Sequence, residues 1–190
     1  PYTASQRASH HRSTRSTKIH RNIILRNEIG PELPFSWIDT PNEKKLRARL
    51  RDLCLDSGSG CDAIAIPHNP NLSNGHQFAI TYRELPLEEQ VSEARLRARL
   101  EPIVEMMQVK GESECRNGFS GVVGEEDELC EFEKIRDRQA DVDDCGDGTG
   151  WGAQKGEGCT SRVDYVRYAL VEGLREEERI GVNPFKFGMI

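Results

Sequence analysis

Cys61-Asp62-Ala63-Ile64-Ala65-Ile66-Pro67-His68-Asn69-Pro70-Asn71-Leu72-Ser73-Asn74-Gly75 is the stretch from which the fold is read. Ala63 to Ile66 make a short apolar run that suits a strand buried on both faces of a sheet. Pro67 ends the run, because it has no N–H for a ladder and biases Ile66 towards an extended conformation. His68 then falls just past the strand, with turn residues and carboxamides from Asn69-Pro70-Asn71 and Ser73-Asn74-Gly75 around it. Open and barrelled α/β sheets carry their chemistry on loops at the C-terminal strand ends. An imidazole delivered there can serve as a metal ligand, as a general base, or merely as a hydrogen-bonding partner of its own loop. These residues leave the three open.

Outward from that stretch the pattern alternates. Upstream, Ile19 to Arg26 is apolar and β-branched with charges at its rims and is expected as a strand, with His20 near its start. Glu28 to Ile38, punctuated by Pro31 and Pro34, is expected as loop. Thr40-Pro41-Asn42-Glu43 reads as a helix start, with Thr40 as cap, Pro41 at the first helical position and Glu43 completing a capping box. Leu46, Leu50, Leu53 and Cys54 follow at helical spacing, and Lys44, Lys45, Arg47, Arg49 and Arg51 are expected on a solvated face. Ser57-Gly58-Ser59-Gly60 stops this helix.

Downstream, Pro86 to Leu100 predicts a second helix with Leu87, Val91, Ala94 and Ala98 on one face, broken by Pro102. Ile103 to Val109 predicts a third buried strand interrupted by Glu105, with Gln108, Lys110, Glu112 and Glu114 gathered at its C-terminal end. Residues 116–160 form a long irregular insertion, acidic over Glu125–Glu128 and glycine-rich from Gly146 to Gly158. Asp141 to Gly152 superficially suggests a calcium loop, but Cys145 and Gly152 stand where oxygen ligands are required. A last helix is capped by Ser161 and buries Val163, Val166, Leu170 and Leu174, while Glu176, Glu177 and Glu178 oppose its dipole if exposed. Phe185 to Ile190 looks like a strand that stops before its loop. The order β-α-β-α-β-insert-α-β predicts a parallel α/β sheet, open or closed into a barrel.

Bulk numbers narrow the class. The chain has 190 residues, 36% hydrophobic and 31% charged, which suits one domain or part of one. Residues 1–27 hold six Lys/Arg and no acid, so the net charge of −6 conceals an acidic remainder with 20 basic against 32 acidic residues. An acidic body without an aromatic-interleaved basic patch argues against nucleic-acid binding. Residues 1–18 are expected as a basic, unstructured tail in which His10 and His11 are solvated. No apolar run reaches membrane-spanning length. The six cysteines (54, 61, 115, 130, 145, 159) show no C-x-x-C pair, and reduced thiols in a cytosol are the expectation. Export stays open as the alternative, because the chain reads as an internal piece of a longer protein and any signal would lie upstream of Pro1.

The stretches I-H-R-N-I-I-L-R-N (19–27), A-I-P-H-N-P-N-L-S-N-G (65–75), E-P-I-V-E-M-M-Q-V-K-G-E-S-E-C (101–115) and R-I-G-V-N-P-F-K-F-G-M-I (179–190) resemble, in that order, the domain-of-unknown-function family 3604. That family is related to the polymerase-and-histidinol-phosphatase (PHP) metallohydrolases. The resemblance runs from His20 onward and covers residues 19–190 as part of one domain. It implies an incomplete distorted β/α barrel of PHP-like type with a long irregular insertion. His, Asp and Glu from its strand ends would bind two or three divalent ions, Zn, Mn or Fe. By the same resemblance His20 and His68 are metal ligands, and Asn69, Asn71, Gln108, Lys110 and Glu114 line a site for a small anionic substrate. Glu105 reads equally well as a structural carboxylate.

The family's early His-x-His, its late Asp-x-His and a glutamate near the N-terminus have no counterpart here, and two imidazoles do not fill a multinuclear site. A PHP-like phosphoesterase fragment using metal-activated water is the leading expectation. An inactive α/β binding module, or a metallohydrolase of carboxylic esters or amides, are the alternatives. No nucleic acid and no membrane is expected among its partners.

Overall fold

The computed structural model describes residues 3–6, 19–36, 38–118, 127–135, 144–150 and 158–190. His10, His11, Glu125 and Glu126 of the acidic run, and residues 141–143 and 151–152 of the calcium-like stretch lie outside these segments.

Strands β1 (Thr3–Gln6), β2 (His20–Leu25) and β3 (Ala63–His68) form one sheet in that order, both pairs antiparallel. β1 falls where an unstructured tail was expected. The antiparallel pairing of β2 with β3 also corrects the expected parallel sheet. Helix α1 (Glu43–Leu50) and the wide π-turn Arg51–Leu55 return the chain beside the end of β2 rather than to its start, so β3 runs back along it. Parallel pairing occurs at the C-terminus, where β4 (Ile103–Val104) meets β7 (Gly188–Met189). A hairpin, β5 (Met107–Gln108) and β6 (Gly111–Glu112), turns at Val109-Lys110. The fold is mixed α/β with small sheets, none closed into a barrel among the described residues.

Two apolar cores form. Ile23, Ala63 and Ala65 from the sheet pack with Leu46, Leu50, Cys54 and Leu100 from α1, its π-turn and α2 (Leu87–Leu100). Phe78, Val104, Phe185 and Phe187 pack with Val163, on the 3₁₀ turn Arg162–Asp164, and with Val166, Tyr168 and Ala169 at the start of α3 (Val166–Ile180). Strand alternation explains the first core: Arg21 and Ile23 point inward from β2, while His20 and Asn22 take the opposite face.

Several helical expectations are corrected. Asn42 rather than Thr40 caps α1, accepting the Lys45 N–H at 2.9 Å, because the Thr40 hydroxyl already donates to the Ser36 carbonyl at 3.0 Å. Leu53 is exposed because the π-turn rotates it away from the Leu46–Leu50 stripe. Leu87 is exposed at the first position of α2, and Leu174 lies off the Val166–Ala169–Gly173 face of α3. Glu176, near the C-terminal end of α3, is fully buried and paired with Arg83 at 3.0 Å and Arg179 at 2.7 Å. Burial raises its carboxyl, but hydrogen bonds from Arg179 and Arg83 outweigh this and hold it below the ordinary glutamate range.

The expectation of reduced thiols is also overturned. All six cysteines pair, as Cys54–Cys61, Cys115–Cys130 and Cys145–Cys159. Loop turns bring partners together over separations of 7, 15 and 14 residues, and no C-x-x-C spacing announces them.

Candidate functional site

The loop that follows β3 is polar yet buried. Asn69, Asn71, Ser73, Asn74 and Gln77 are all buried, and such groups persist inside only when hydrogen-bonded. Asn69 and Asn74 adopt left-handed backbone conformations (φ 54° and 53°), which asparagine tolerates better than most residues. Asp164, on the 3₁₀ turn before α3, accepts from the Ser73 hydroxyl at 2.8 Å and the Gly75 N–H at 2.7 Å. The loop is thereby tied to the C-terminal half of the chain.

His68 stands on the edge of this loop. His20 is its register partner across β2 and β3, and the two rings lie nearly parallel (8°) with centroids 6.2 Å apart. The Glu105 carboxylate, just past β4, meets His68 Nδ1, and the Glu105 N–H donates to the Pro67 carbonyl at 3.1 Å. A carboxylate on one ring nitrogen fixes the tautomer and leaves Nε2 as the lone-pair donor, the arrangement common to metal-binding histidines. An imidazole lone pair lies in its ring plane. Two parallel planes therefore do not converge on one ion until His20 or His68 rotates. Two imidazoles supply at most two ligands, too few for a two- or three-ion centre.

The hairpin supplies the other expected residues. Gln108 donates through Nε2 to Asn69 Oδ1, and its Oε1 accepts the Lys110 N–H at 3.1 Å. Asn71 donates through Nδ2 to the Lys110 carbonyl at 3.0 Å. Asn69, Asn71, Gln108 and Lys110 are thus brought together beside His68. Glu114 is turned elsewhere. It accepts from Arg167 at 2.7 and 2.9 Å, and Arg167 also pairs with Asp127 at 2.7 Å. Glu112 is held by Lys134 and by the Cys115 N–H at 3.0 Å, while burial pushes its carboxyl up.

Two sets of potential metal ligands, Cys115–Asp127–Cys130 and Glu112–Glu114–Cys115, have ligand atoms within 4.8 Å of one another. Their sulfurs are joined in a disulfide and so carry no thiolate charge, and their carboxylates already face Arg167 or Lys134. Neither set is open to an ion.

Behind the site lies a cluster that the sequence reading missed. Glu101 is 2% exposed and is surrounded by Arg21, Arg47 and Arg97, each 2% exposed or less. Arg21 Nε reaches it at 2.9 Å, Arg97 Nε at 3.1 Å and Arg47 at 3.3 Å. Arg21 also donates to the Gln77 side chain at 2.7 Å, and Gln77 Nε2 donates to the His20 carbonyl at 3.3 Å. The Arg97 guanidinium lies 4.5 Å from the Phe185 ring centroid, so the cluster joins the two cores. Burial opposes charge on Glu101, but Arg21, Arg97 and Arg47 together bring it down to about 2. Burial pushes Arg97 down to about 10 against the pull of Glu101. A signal was available: Arg21 shares the inward face of β2 with Ile23, and Arg97 falls on the Gln90–Ala94–Glu101 stripe of α2. A basic residue on an inward face demands a buried acid.

Residues 9–190 match the family described as Protein of unknown function (DUF3604). The chain belongs to this family. The match includes the loop with His68, the hairpin and Glu101, and it begins at residue 9, upstream of the His20 from which the resemblance was read. No match is found for this family member among curated proteins or solved structures. No described helix is long and apolar enough to cross a membrane.

Proposed function

We propose that this chain is part of a PHP-like metal-dependent hydrolase that cleaves phosphoesters, built on an incomplete, distorted β/α barrel. The observation that carries the reading is the Glu105 carboxylate on Nδ1 of His68, which leaves Nε2 directed away from its support. His68 holds the ion, Zn, Mn or Fe, and His20 joins it after rotation of its ring. A bound divalent ion supplies a water acidified towards neutrality and offsets negative charge at the phosphoryl group. Glu105 orients His68. The Lys110 ammonium, which forms no ion pair with a described residue, meets the anionic group of the substrate. Asn69, Asn71 and Gln108 shape the loop beside it, and Glu114 steadies the far end of the hairpin through Arg167.

Metal content per folded chain, by elemental mass spectrometry on the wild type and His68→Ala, tests this. About one ion per chain, lost in a variant that keeps its circular dichroism, is the expected result. No ion in either protein overturns the reading.

The parallel planes of His20 and His68 favour a second reading, an α/β module that binds an anionic ligand without hydrolysing it. Phosphate binding without metal would single it out. The three disulfides support folding in an oxidising compartment, and thiol titration of the protein isolated from its host checks this: six reactive thiols would refute it.

A further inference from the structure

We infer that Cys115, Cys130 and Asp127 form a zinc site once the Cys115–Cys130 disulfide is reduced. This site is separate from His68 and independent of the hydrolase reading.

The ligand atoms are already gathered. Both sulfurs and a carboxylate oxygen of Asp127 lie within 4.8 Å of one another. Among the described residues, neither Cys54–Cys61 nor Cys145–Cys159 has a third ligand so placed. The gathering does not depend on the S–S bond. The Asp127 N–H donates to Asn117 Oδ1 at 3.0 Å, and Asn117 Nδ2 donates to the Asp127 carbonyl at 3.1 Å. Lys134 Nζ donates to Glu112 and to the Cys115 carbonyl, and Arg167 joins Glu114 to Asp127. Each of these links ties residues 112–117 to residues 127–134 without using a sulfur. A tetrahedral ion with Zn–S bonds of about 2.3 Å sets its two sulfurs about 3.8 Å apart. Side-chain rotation reaches that separation from a Cα–Cα distance of 5.1 Å.

Two thiolates and a carboxylate select zinc over magnesium, calcium or manganese, which prefer oxygen ligands. Water takes the fourth position. The three ligands outweigh the charge of the ion by one, and the Arg167 guanidinium, 3.7 Å from Cys130 Sγ, offsets the excess. Asp127 exchanges Arg167 for the ion, while Arg167 keeps its bonds to Glu114 at 2.7 and 2.9 Å. The exchange therefore leaves no cation unpaired. The Asp127 and Arg167 side chains are 34% and 37% exposed, so the ion enters from their side. A dithiol supplies the reduction. Its two electrons break the Cys115–Cys130 bond, its two protons complete the thiols, and it closes to a cyclic disulfide. Zinc then displaces both thiol protons to solvent. The two sulfurs thus hold each other in an oxidising compartment and an ion in a reducing one.

The test reduces the full chain with dithiothreitol, removes the dithiol by desalting without oxygen, adds Co²⁺ and displaces it with Zn²⁺. The expected result is a sulfur-to-cobalt charge-transfer band in the reduced chain and none in the oxidised one. The band reports thiolate ligands alone, so an ion on His68 is not counted. Replacing Cys115 and Cys130 by serine leaves the other four thiols and should abolish the band. Asp127→Asn keeps every thiol and should weaken zinc by about tenfold or more. No band in the reduced wild type overturns the inference. So does a band of wild-type strength in the double-serine variant, which places the metal on other thiols, or an unchanged zinc affinity in Asp127→Asn. If reduction abolishes the circular dichroism of the fold and Zn²⁺ does not restore it, the inference falls as well.

Discussion

The Glu105 carboxylate meets Nδ1 of His68 where β3 and β4 end side by side, and both side chains are 21% exposed. Held through Nδ1, the His68 ring keeps Nε2 as its remaining lone-pair atom. Glu105→Gln replaces a charged acceptor by a neutral amide and weakens that hold. The expected outcome is a loss of about 10- to 100-fold in Zn²⁺ or Mn²⁺ affinity, read by competition with a chromophoric chelator. Wild-type affinity in the variant would show that His68 needs no such support.

Glu101 is the only acid that directly contacts Arg21, Arg47 and Arg97 among the described residues. Glu101→Gln would leave three buried guanidiniums around a neutral amide, and a loss of about 3–5 kcal/mol is expected from urea unfolding at pH 7. The wild type carries a pH signature of the same contact. Its folded pKa, about 2, lies below the ordinary 4.5, so the unfolded chain binds the proton more tightly. The stabilisation is present in full above pH 4.5 and is lost as the pH falls towards about 2. Glu101→Gln should remove that part of the acid dependence. An unchanged profile would count against the cluster.

Cys115–Cys130 closes a loop with a separation of 15 residues next to β6, where Lys134 bridges Glu112 and the Cys115 carbonyl. Replacing both cysteines by serine should lower stability by about 3 kcal/mol. Dithiothreitol should lower the Tm of the wild type further than that of this variant. Equal Tm values with and without reductant would mean that none of the three disulfides holds the fold.

Gly75 sits at φ +81° in the loop after His68, and a Cβ there would lie 2.6 Å from the Ser161 hydroxyl and 2.8 Å from the Gly148 carbonyl. Gly75→Ala therefore combines a left-handed backbone with a backbone clash, and a loss of about 2 kcal/mol or more is expected in thermal unfolding. A wild-type Tm would mean that the loop has room to shift.

Much of the local structure was legible. Apolar runs placed β2 to within a residue and the start of β3 at Ala63, although β3 continues through Pro67 to His68, two residues beyond the expected end, and the 87–100 helix began one residue after its proline. His68 was legible at its strand end because Pro67 and the asparagines punctuate the chain there. The charged interior was not. Arg47, Arg97 and Glu176 look like solvated helix charges because periodicity weighs each residue on its own, whereas their partners lie elsewhere in the chain. Arg47 and Glu101 are 54 positions apart, and Arg83 and Glu176 are 93 apart.

By itself the sequence determined where β2, the start of β3 and the helix α2 form, since backbone preference and apolar spacing act over a few residues. It also placed an imidazole and two asparagines on one turn. Only the tertiary structure decided the antiparallel sense of β2 and β3, the three disulfides, the burial of three arginines around Glu101 and the approach of Glu105 to His68. Each of these brings together groups distant along the chain. Which groups meet is set by how two cores pack against one sheet, and no local preference encodes that choice.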